Sequence, residues 1–459
     1  MNRNDFDELK NISKIHMIGI GGISMSGLAY ILKEYGYNVS GSNNVSNNMT
    51  DNLNNDNIKV YIPHSENNIN EDIDLVIYTA AISKDNEELV RAKELNINTL
   101  ERGEFLGELT KLFNETIGIT GTHGKTSTTS MVSLCFLTAN LDPTIQVGSC
   151  LSNINGNYKV GNSDYFIIES CEYKDSFLNF HEKSAIVLNM DNDHLDYFGT
   201  FENIKKSFKE YVSHITNVLV LNGDDKNVVE LALHSKAKIL TFGLSENNNY
   251  YAKNIEFNEL GYPSYDLYKN KEYIDRINLS IVGIHNVINS LGCVALCDYY
   301  NISIEDIKKG LNSYKGAARR FEYKGEFIGA TVYDDYGHHP TEVEAVSNSI
   351  LNKKYNKSYV IFEPHTYSRV KNHARDFAKS LINFDNIIIA DIYAAREINE
   401  FNVSEEDIIK ELKNLGKDSI HISDYEDIKE YLKNNVEEND LILTLGAGNI
   451  TKLSELLTK

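Results

Sequence analysis

Seven residues, Thr120-Gly121-Thr122-His123-Gly124-Lys125-Thr126, carry the densest chemical information in this 459-residue chain. They follow the apolar run Ile117-Gly118-Ile119, so the pattern predicts a buried strand, a loop and a helix from Ser127 to about Asn140. A helix start offers free backbone N–H groups and the positive end of its dipole, which stabilise an anionic phosphate before any side chain acts. Gly121 and Gly124 permit close backbone approach, and Thr122, His123 and Ser127 complete the lining. Lys125 would reach the outer phosphates and Thr126 would offer a hydroxyl to Mg²⁺, the chemistry of ATP or GTP use. Ile119 stands where the strict pattern has its first glycine, and a Gly-containing turn before an ordinary helix is the plain alternative.

A second set of residues suits a metal. Glu169 closes the apolar strand Tyr165-Phe166-Ile167-Ile168, and His194 lies in Asp191-Asn192-Asp193-His194-Leu195-Asp196, after a strand expected over Ala185 to Met190. In a parallel sheet both positions fall at C-terminal strand ends, on the edge where open α/β sheets bind ligands. A hard carboxylate there suits Mg²⁺, which keeps few protein ligands and fills its shell with water and phosphate oxygens. A solvated strand-end carboxylate and an ordinary loop histidine are the alternatives.

The elements that must position these groups alternate between strand and helix. Lys14 to Ile20 reads as a strand ending in Gly19-Ile20-Gly21-Gly22, and Ile23 to Tyr35 has helical periodicity through Leu28, Ile31, Leu32 and Tyr35. This opens a Rossmann-like unit, but Asn43 and Ser24 replace the acidic residue and the third glycine of a dinucleotide site, which argues against NAD, while a different phosphate-bearing ligand such as a nucleotide sugar suits the loop. Asn43 to Asn57 is a loop or a poorly packed helix. Further strands are expected at Leu75 to Thr79, Val218 to Asn222, Lys238 to Phe242, Thr331 to Asp335, Tyr359 to Phe362, Asn386 to Asp391 and Asp440 to Leu445. The expectation is an α/β protein of three domains: a Rossmann-like domain over 1–108, a central mostly parallel P-loop ATPase-like domain over 109–315 and a Rossmann-like domain over 316–459. Length agrees, at roughly 150 residues per domain.

The net charge of −21 argues against nucleic acid or an anionic membrane as partner, since both need a basic face. Anionic small substrates would be met by local Lys, Arg, Mg²⁺ and helix starts. The cysteines at 135, 150, 171, 293 and 297 form no C-x-x-C pair and read as buried free thiols, not as disulfides or a zinc cage. Met1 to Lys14 lacks an apolar signal core, and no apolar run reaches the roughly 18 residues of a membrane span. The expected location is the cytoplasm.

Taken in order, several motifs resemble the Mur ligases: Gly19-Ile20-Gly21-Gly22-Ile23-Ser24-Met25-Ser26-Gly27, Thr120 to Thr126, Asp193-His194-Leu195-Asp196, Gly283-Ile284-His285-Asn286 with Asn289, Ala318-Arg319-Arg320-Phe321, and Asp335-Tyr336-Gly337-His338-His339-Pro340. Phe362-Glu363-Pro364-His365-Thr366-Tyr367-Ser368-Arg369 and Asp391-Ile392-Tyr393-Ala394-Ala395-Arg396-Glu397 extend the likeness through the third domain. The resemblance implies an ATP-dependent amide ligase. ATP phosphorylates the lactyl carboxylate of UDP-N-acetylmuramate, the amine of L-alanine attacks the acyl phosphate, and phosphate departs.

By the same resemblance, Lys125 acts on the γ-phosphate while Thr126, Glu169 and His194 hold Mg²⁺. Asn286 and Asn289 contact the adenine side of ATP, Asp335 lies near its ribose, and Arg320, with Arg319, clamps it after domain closure. Gly19, Gly21, Gly22 and Ser24, with His64 and Arg102, match the UDP-sugar loop and its further contacts. His338, His339 and His365 orient or deprotonate the amine, and Arg369 and Arg396 meet carboxylates or phosphates. Two departures stand beside these matches. Glu169-Ser170-Cys171-Glu172 replaces the more acidic run of many relatives, and Asn43 replaces their usual Asp. The protein is expected as a monomer or dimer. Three rivals remain: a sister ligase adding a recycled peptide to the same UDP-sugar, a folyl-polyglutamate-type ligase, and a nucleotide-gated binding protein.

Overall fold

The computed structural model describes residues 12–459 apart from 259, 260, 317, 318, 352 and 396. Among the described residues three sheets form, and the chain divides into two compact units. The first runs through Lys253 and takes in Asp266–Arg276 and Ile288–Tyr314. The second comprises Asn254–Tyr265, Ile277–Val287 and Lys315–Lys459.

The opening sheet is parallel, in the order Lys59–Tyr61, Asn38–Ser42, Lys14–Ile18, Leu75–Tyr78, Asn98–Glu101. Its central strand buries Ile15, Met17 and Ile18 together with His16, as expected of a strand covered on both faces. The helix Ile23–Glu34 starts directly after Gly22. The Asn-rich stretch left open as loop or helix contains the helix Asn48–Asn55. Asn47 and Thr50 form a reciprocal capping box there, offsetting poor intrinsic propensity.

The ten-stranded central sheet runs Glu272–Asn278, Pro263–Lys269, Tyr250–Phe257, Lys238–Gly243, Val218–Asn222, Ser184–Val187, Glu115–Thr120, Tyr165–Glu169, Thr144–Leu151, Gly156–Lys159. Thr120 is level with Val187 on one side, and Ile119 with Glu169 on the other. Parallel register therefore delivers three loops to one edge: the phosphate loop, the segment after Glu169 and the segment after Val187. Ile117 and Ile119 are fully buried, each contributing roughly 1.5–3 kcal/mol of transfer free energy. The expected strand Ala185 to Met190 is Ser184–Val187, which frees Leu188 to Met190 for loop contacts. The helix expected from Ser127 begins at Lys125 and ends at Thr138, so Lys125 and Thr126 occupy its first turn.

In the second unit the sheet order is Glu322–Phe327, Ala330–Asp335, Leu441–Leu445, Ser358–Phe362, Asn386–Ile389, Ile420–His421, with only the first pair antiparallel. Asp335, Leu445, Phe362 and Ile389 are mutually level. The segments starting at Tyr336, Glu363 and Ala390 consequently leave the sheet along one edge. No helix among the described residues is long and apolar enough to cross a membrane.

Candidate functional site

The phosphate loop is held open by its own backbone and by a neighbouring strand end. Gly121 has φ +134° and Gly124, which precedes the helix, has φ +84°, a region that favours glycine. A Cβ at Gly124 would lie 2.9 Å from Asn289 Oδ1, so the loop packs directly on that asparagine. The amide N–H of His123 donates to Asn189 Oδ1 at 2.8 Å, and Asn189 Nδ2 donates to the His123 carbonyl at 2.9 Å. The Asp191 amide donates to Thr122 Oγ1 at 2.9 Å. Asn189 and Asp191 thus fix a loop that sequence reasoning assigned to its glycines alone.

Lys125 Nζ lies 2.9 and 3.1 Å from the two oxygens of Glu172 and donates to the Thr122 carbonyl at 3.0 Å. Burial, the largest single influence, disfavours its charge, but Glu172, Cys171 and Glu169 together outweigh it and hold the ammonium above the ordinary lysine range. Thr126 Oγ1 donates to Glu169 Oε1 at 3.1 Å, and the Gly148 amide fixes Glu169 Oε2 at 2.8 Å. His194 has a left-handed backbone, with φ +56°. Its ring packs 4.7 Å from that of Tyr173, and Nε2 stands 3.9 Å from Glu172 Oε1. Lys125 and His194 therefore meet at Glu172, a residue sequence reasoning noted only as part of an altered run, while Thr126 meets Glu169. The hydroxyl and carboxylate oxygens of Thr126 and Glu169 fit Mg²⁺ beside a phosphate.

In the opening sheet, Gly19 has φ +81°, and its amide donates to the Ser42 carbonyl at 2.8 Å. A Cβ at Gly21 would strike Asn43 at 2.8 Å, so Asn43 lies against the loop. Ser24 is reached from two sides, by Arg102 Nη1 at 3.2 Å on its hydroxyl and by Gln146 Nε2 at 3.0 Å on its carbonyl. Gly19, Gly21, Gly22, Ser24 and Arg102 come together. His64 is held by Ser42, the residue that also receives the Gly19 amide: its Nδ1 is 2.8 Å from Ser42 Oγ and 3.5 Å from the buried Glu88. Burial opposes the Glu88 charge, but hydrogen bonds from His16, Ser42 and Asn68 prevail and pull its carboxyl down to about 2. This buried ionic cluster, invisible in sequence because its members lie far apart, gives His64 a structural partner.

In the second unit, His338 Nδ1 is 3.1 Å from the Tyr336 carbonyl and 3.4 Å from Glu342 Oε2. Its ring is 5.3 Å from that of His365, whose Nδ1 is 3.4 Å from Arg369 Nη1. Arg320 Nη1 is 3.7 Å from Glu342 Oε1. His338, His365, Arg369 and Arg320 accordingly form a connected patch through Glu342. His339 instead caps the helix Pro340–Ile350 and packs its ring 5.5 Å from that of His373. Asp335 accepts the amides of Phe321 and Gly337, each at 2.7 Å, so both its oxygens already organise backbone. Burial lifts its carboxyl to about 6 despite the nearby Arg320. Arg319 stacks 4.9 Å from the Tyr336 ring and lies 3.2 Å from Asp334. Asn286 donates to the Val282 carbonyl at 2.8 Å, and Asn289 follows one turn along the helix Ile284–Tyr299. Arg396 lies outside the described residues.

Three family models match consecutive stretches: "Mur ligase family, catalytic domain" over 14–114, "Mur ligase middle domain" over 119–297 and "Mur ligase, glutamate ligase domain" over 319–448. The chain is 44% identical over 457 residues to a protein of Clostridium perfringens named UDP-N-acetylmuramate--L-alanine ligase, covering 99% of this chain and 100% of that one. Among solved structures it is similar to a UDP-N-acetylmuramate-alanine ligase of Thermotoga maritima, with TM-score 0.84, 28% identity and coverage of 97% and 98%. A murein peptide ligase of Psychrobacter arcticus has the same fold at TM-score 0.72 and 22% identity, with the same coverage.

Proposed function

This chain belongs to the Mur ligase family, and we propose from that premise that it is the ATP-dependent ligase joining L-alanine to the lactyl carboxylate of UDP-N-acetylmuramate. The observation that carries the reading is the full-length identity to enzymes of that name. The loop geometry alone fits any fold that uses a nucleotide.

A carboxylate is a poor acyl donor because its leaving group would be oxide. Transfer of the γ-phosphoryl group makes an acyl phosphate, the amine nitrogen of L-alanine adds to its carbonyl carbon, and phosphate leaves with the C–O bond pair. The protein's share of the first step is positioning and charge neutralisation. Lys125 and the loop amides meet the transferred phosphoryl group, and Asn286 and Asn289 face the adenine side. Thr126, Glu169 and His194 hold Mg²⁺, which when bound neutralises phosphate charge. Replacing Glu169 by Gln removes a charged oxygen donor and is expected to raise the Mg²⁺ concentration for half-maximal activity about 10–100-fold. An unchanged Mg²⁺ titration would remove Glu169 from the metal set.

Gly19, Gly21, Gly22, Ser24 and Arg102 receive the UDP-sugar. His338 and His365 face the amine, where a histidine can take its proton near working pH. Arg369, with Arg396, pairs the carboxylate of L-alanine through a planar guanidinium that lysine cannot reproduce. Arg369→Lys is therefore expected to raise the KM for L-alanine about tenfold in initial-rate measurements. A KM within twofold of wild type would place that carboxylate elsewhere. On this reading the enzyme works in the cytoplasm and divides into segments 1–108, 109–315 and 316–459.

The deciding experiment is phosphate release from ATP and Mg²⁺ with UDP-N-acetylmuramate and L-alanine added singly and together. Release that needs both establishes the ligase. Release independent of L-alanine, or driven only by a peptide amine, overturns it.

A further inference from the structure

Cys135 lies in the helix Lys125–Thr138, and Cys293 and Cys297 stand one turn apart on the helix Ile284–Tyr299. All three are 0% exposed. Cys135 and Cys293 bring their sulfurs to 3.7 Å, Cys293 and Cys297 to 3.9 Å, and all three sulfurs lie within 4.8 Å of one another. Sequence spacing gave no metal set because Cys135 and Cys293 are 158 residues apart. The fold closes that distance.

A cation bonded to sulfur at about 2.3 Å spreads three ligands to S–S edges of about 4 Å in a plane, or about 3.8 Å as corners of a tetrahedron. The Cys135–Cys293 and Cys293–Cys297 edges match those values, and the third pair lies within 4.8 Å. Three soft sulfur donors exclude Mg²⁺ and Ca²⁺, which take oxygen, and select thiophilic d¹⁰ ions. Zn²⁺ almost always takes four ligands in such sites. A set of three sulfurs, with the Ile307 carbonyl 3.6 Å from the Cys135 sulfur, suits a three-coordinate ion. We propose that Cys135, Cys293 and Cys297 form a buried three-sulfur site for one Cu(I) ion, separate from the phosphate loop.

Each thiol that ligates as thiolate releases one proton to solvent, with no change of oxidation state at sulfur or copper. The ion would staple the helix that begins at the phosphate loop to the helix whose Asn289 packs on Gly124. Binding to the native chain raises its unfolding midpoint by mass action.

The test is a Cu(I) titration of the reduced full-length chain, without nucleotide, against a chromophoric Cu(I) chelator. One equivalent is expected, with an ultraviolet thiolate-to-copper band and a higher unfolding midpoint. Cys293→Ser and Cys297→Ser are expected to weaken binding by at least about 100-fold, and the Cys150→Ser/Cys171→Ser double variant to leave it unchanged. X-ray absorption at the copper edge of the loaded wild-type chain guards against variants that fail to fold: three sulfur neighbours support the site. Equal competition by wild type and Cys293→Ser, nitrogen or oxygen neighbours, or displacement of Cu(I) by equimolar Zn²⁺ would overturn it. The three thiols would then be small packed hydrophobes.

Discussion

Replacing Lys125 with alanine is expected to lower substrate-dependent phosphate release about 10²–10³-fold, the loss typical of removing one preorganised group that meets developing charge. Lys125 occupies the first helical turn, where loop amides and helix dipole already favour an anion. Its Nζ is fixed by Glu172 and by the Thr122 carbonyl, so little reorganisation is needed when a phosphoryl group arrives. The same pairing complicates the variant. Glu172 is 2% exposed, and deleting its cation leaves a buried carboxylate unpaired, a loss of about 3–5 kcal/mol in stability.

The two effects separate in a double variant. Lys125→Ala/Glu172→Gln removes the orphaned charge and is expected to recover most of the unfolding midpoint lost in Lys125→Ala, while phosphate release stays at the Lys125→Ala level. Recovery of activity along with stability would mean that Lys125 acts by neutralising Glu172, and its role at the γ-phosphate would be withdrawn. A rate within tenfold of wild type in the single variant would do the same.

The parallel core was legible because strands buried on both faces, such as Tyr165–Glu169 and Val218–Asn222, read as continuous apolar runs that end at a polar residue. Those ends are where the phosphate loop and Glu169 sit, so topology and chemistry could be read together. The half-exposed strands Pro263–Lys269 and Glu272–Asn278 carry no such run, and they were missed. Helix Asn48–Asn55 depends on a cap, not on periodicity. Glu172, Asn189 and Glu342 escaped for a different reason: each acts through a contact that exists only once distant segments meet. His64 is held in the same way, since Ser42 and Glu88, 22 and 24 residues away in sequence, fix its ring.

Such contacts also set how the molecule responds to pH, as at Glu182. Its carboxylate is fully enclosed, receiving the hydroxyls of Ser170 and Tyr211. A Cβ on Gly118 would lie within 1.9 Å of it, so glycine at that strand position leaves the space it occupies. Burial raises its pKa from 4.5 to about 7, against the lowering effect of the two hydroxyls. An acid whose folded value exceeds its unfolded one binds its proton more tightly when folded. Its contribution is fully present below about 4.5, falls as pH rises to about 7 and is flat above, a change of roughly 3 kcal/mol. Asp335, raised to about 6, slopes in the same direction, so wild type alone cannot isolate Glu182. Glu182→Gln removes the titration and keeps the shape. The difference in unfolding midpoint between variant and wild type is expected to move in the variant's favour by on the order of 5 °C from pH 5 to pH 8. A difference that stays constant across that range would show that Glu182 keeps one protonation state throughout, and the Ser170 and Tyr211 hydroxyls would then have to solvate its charge as well as water does.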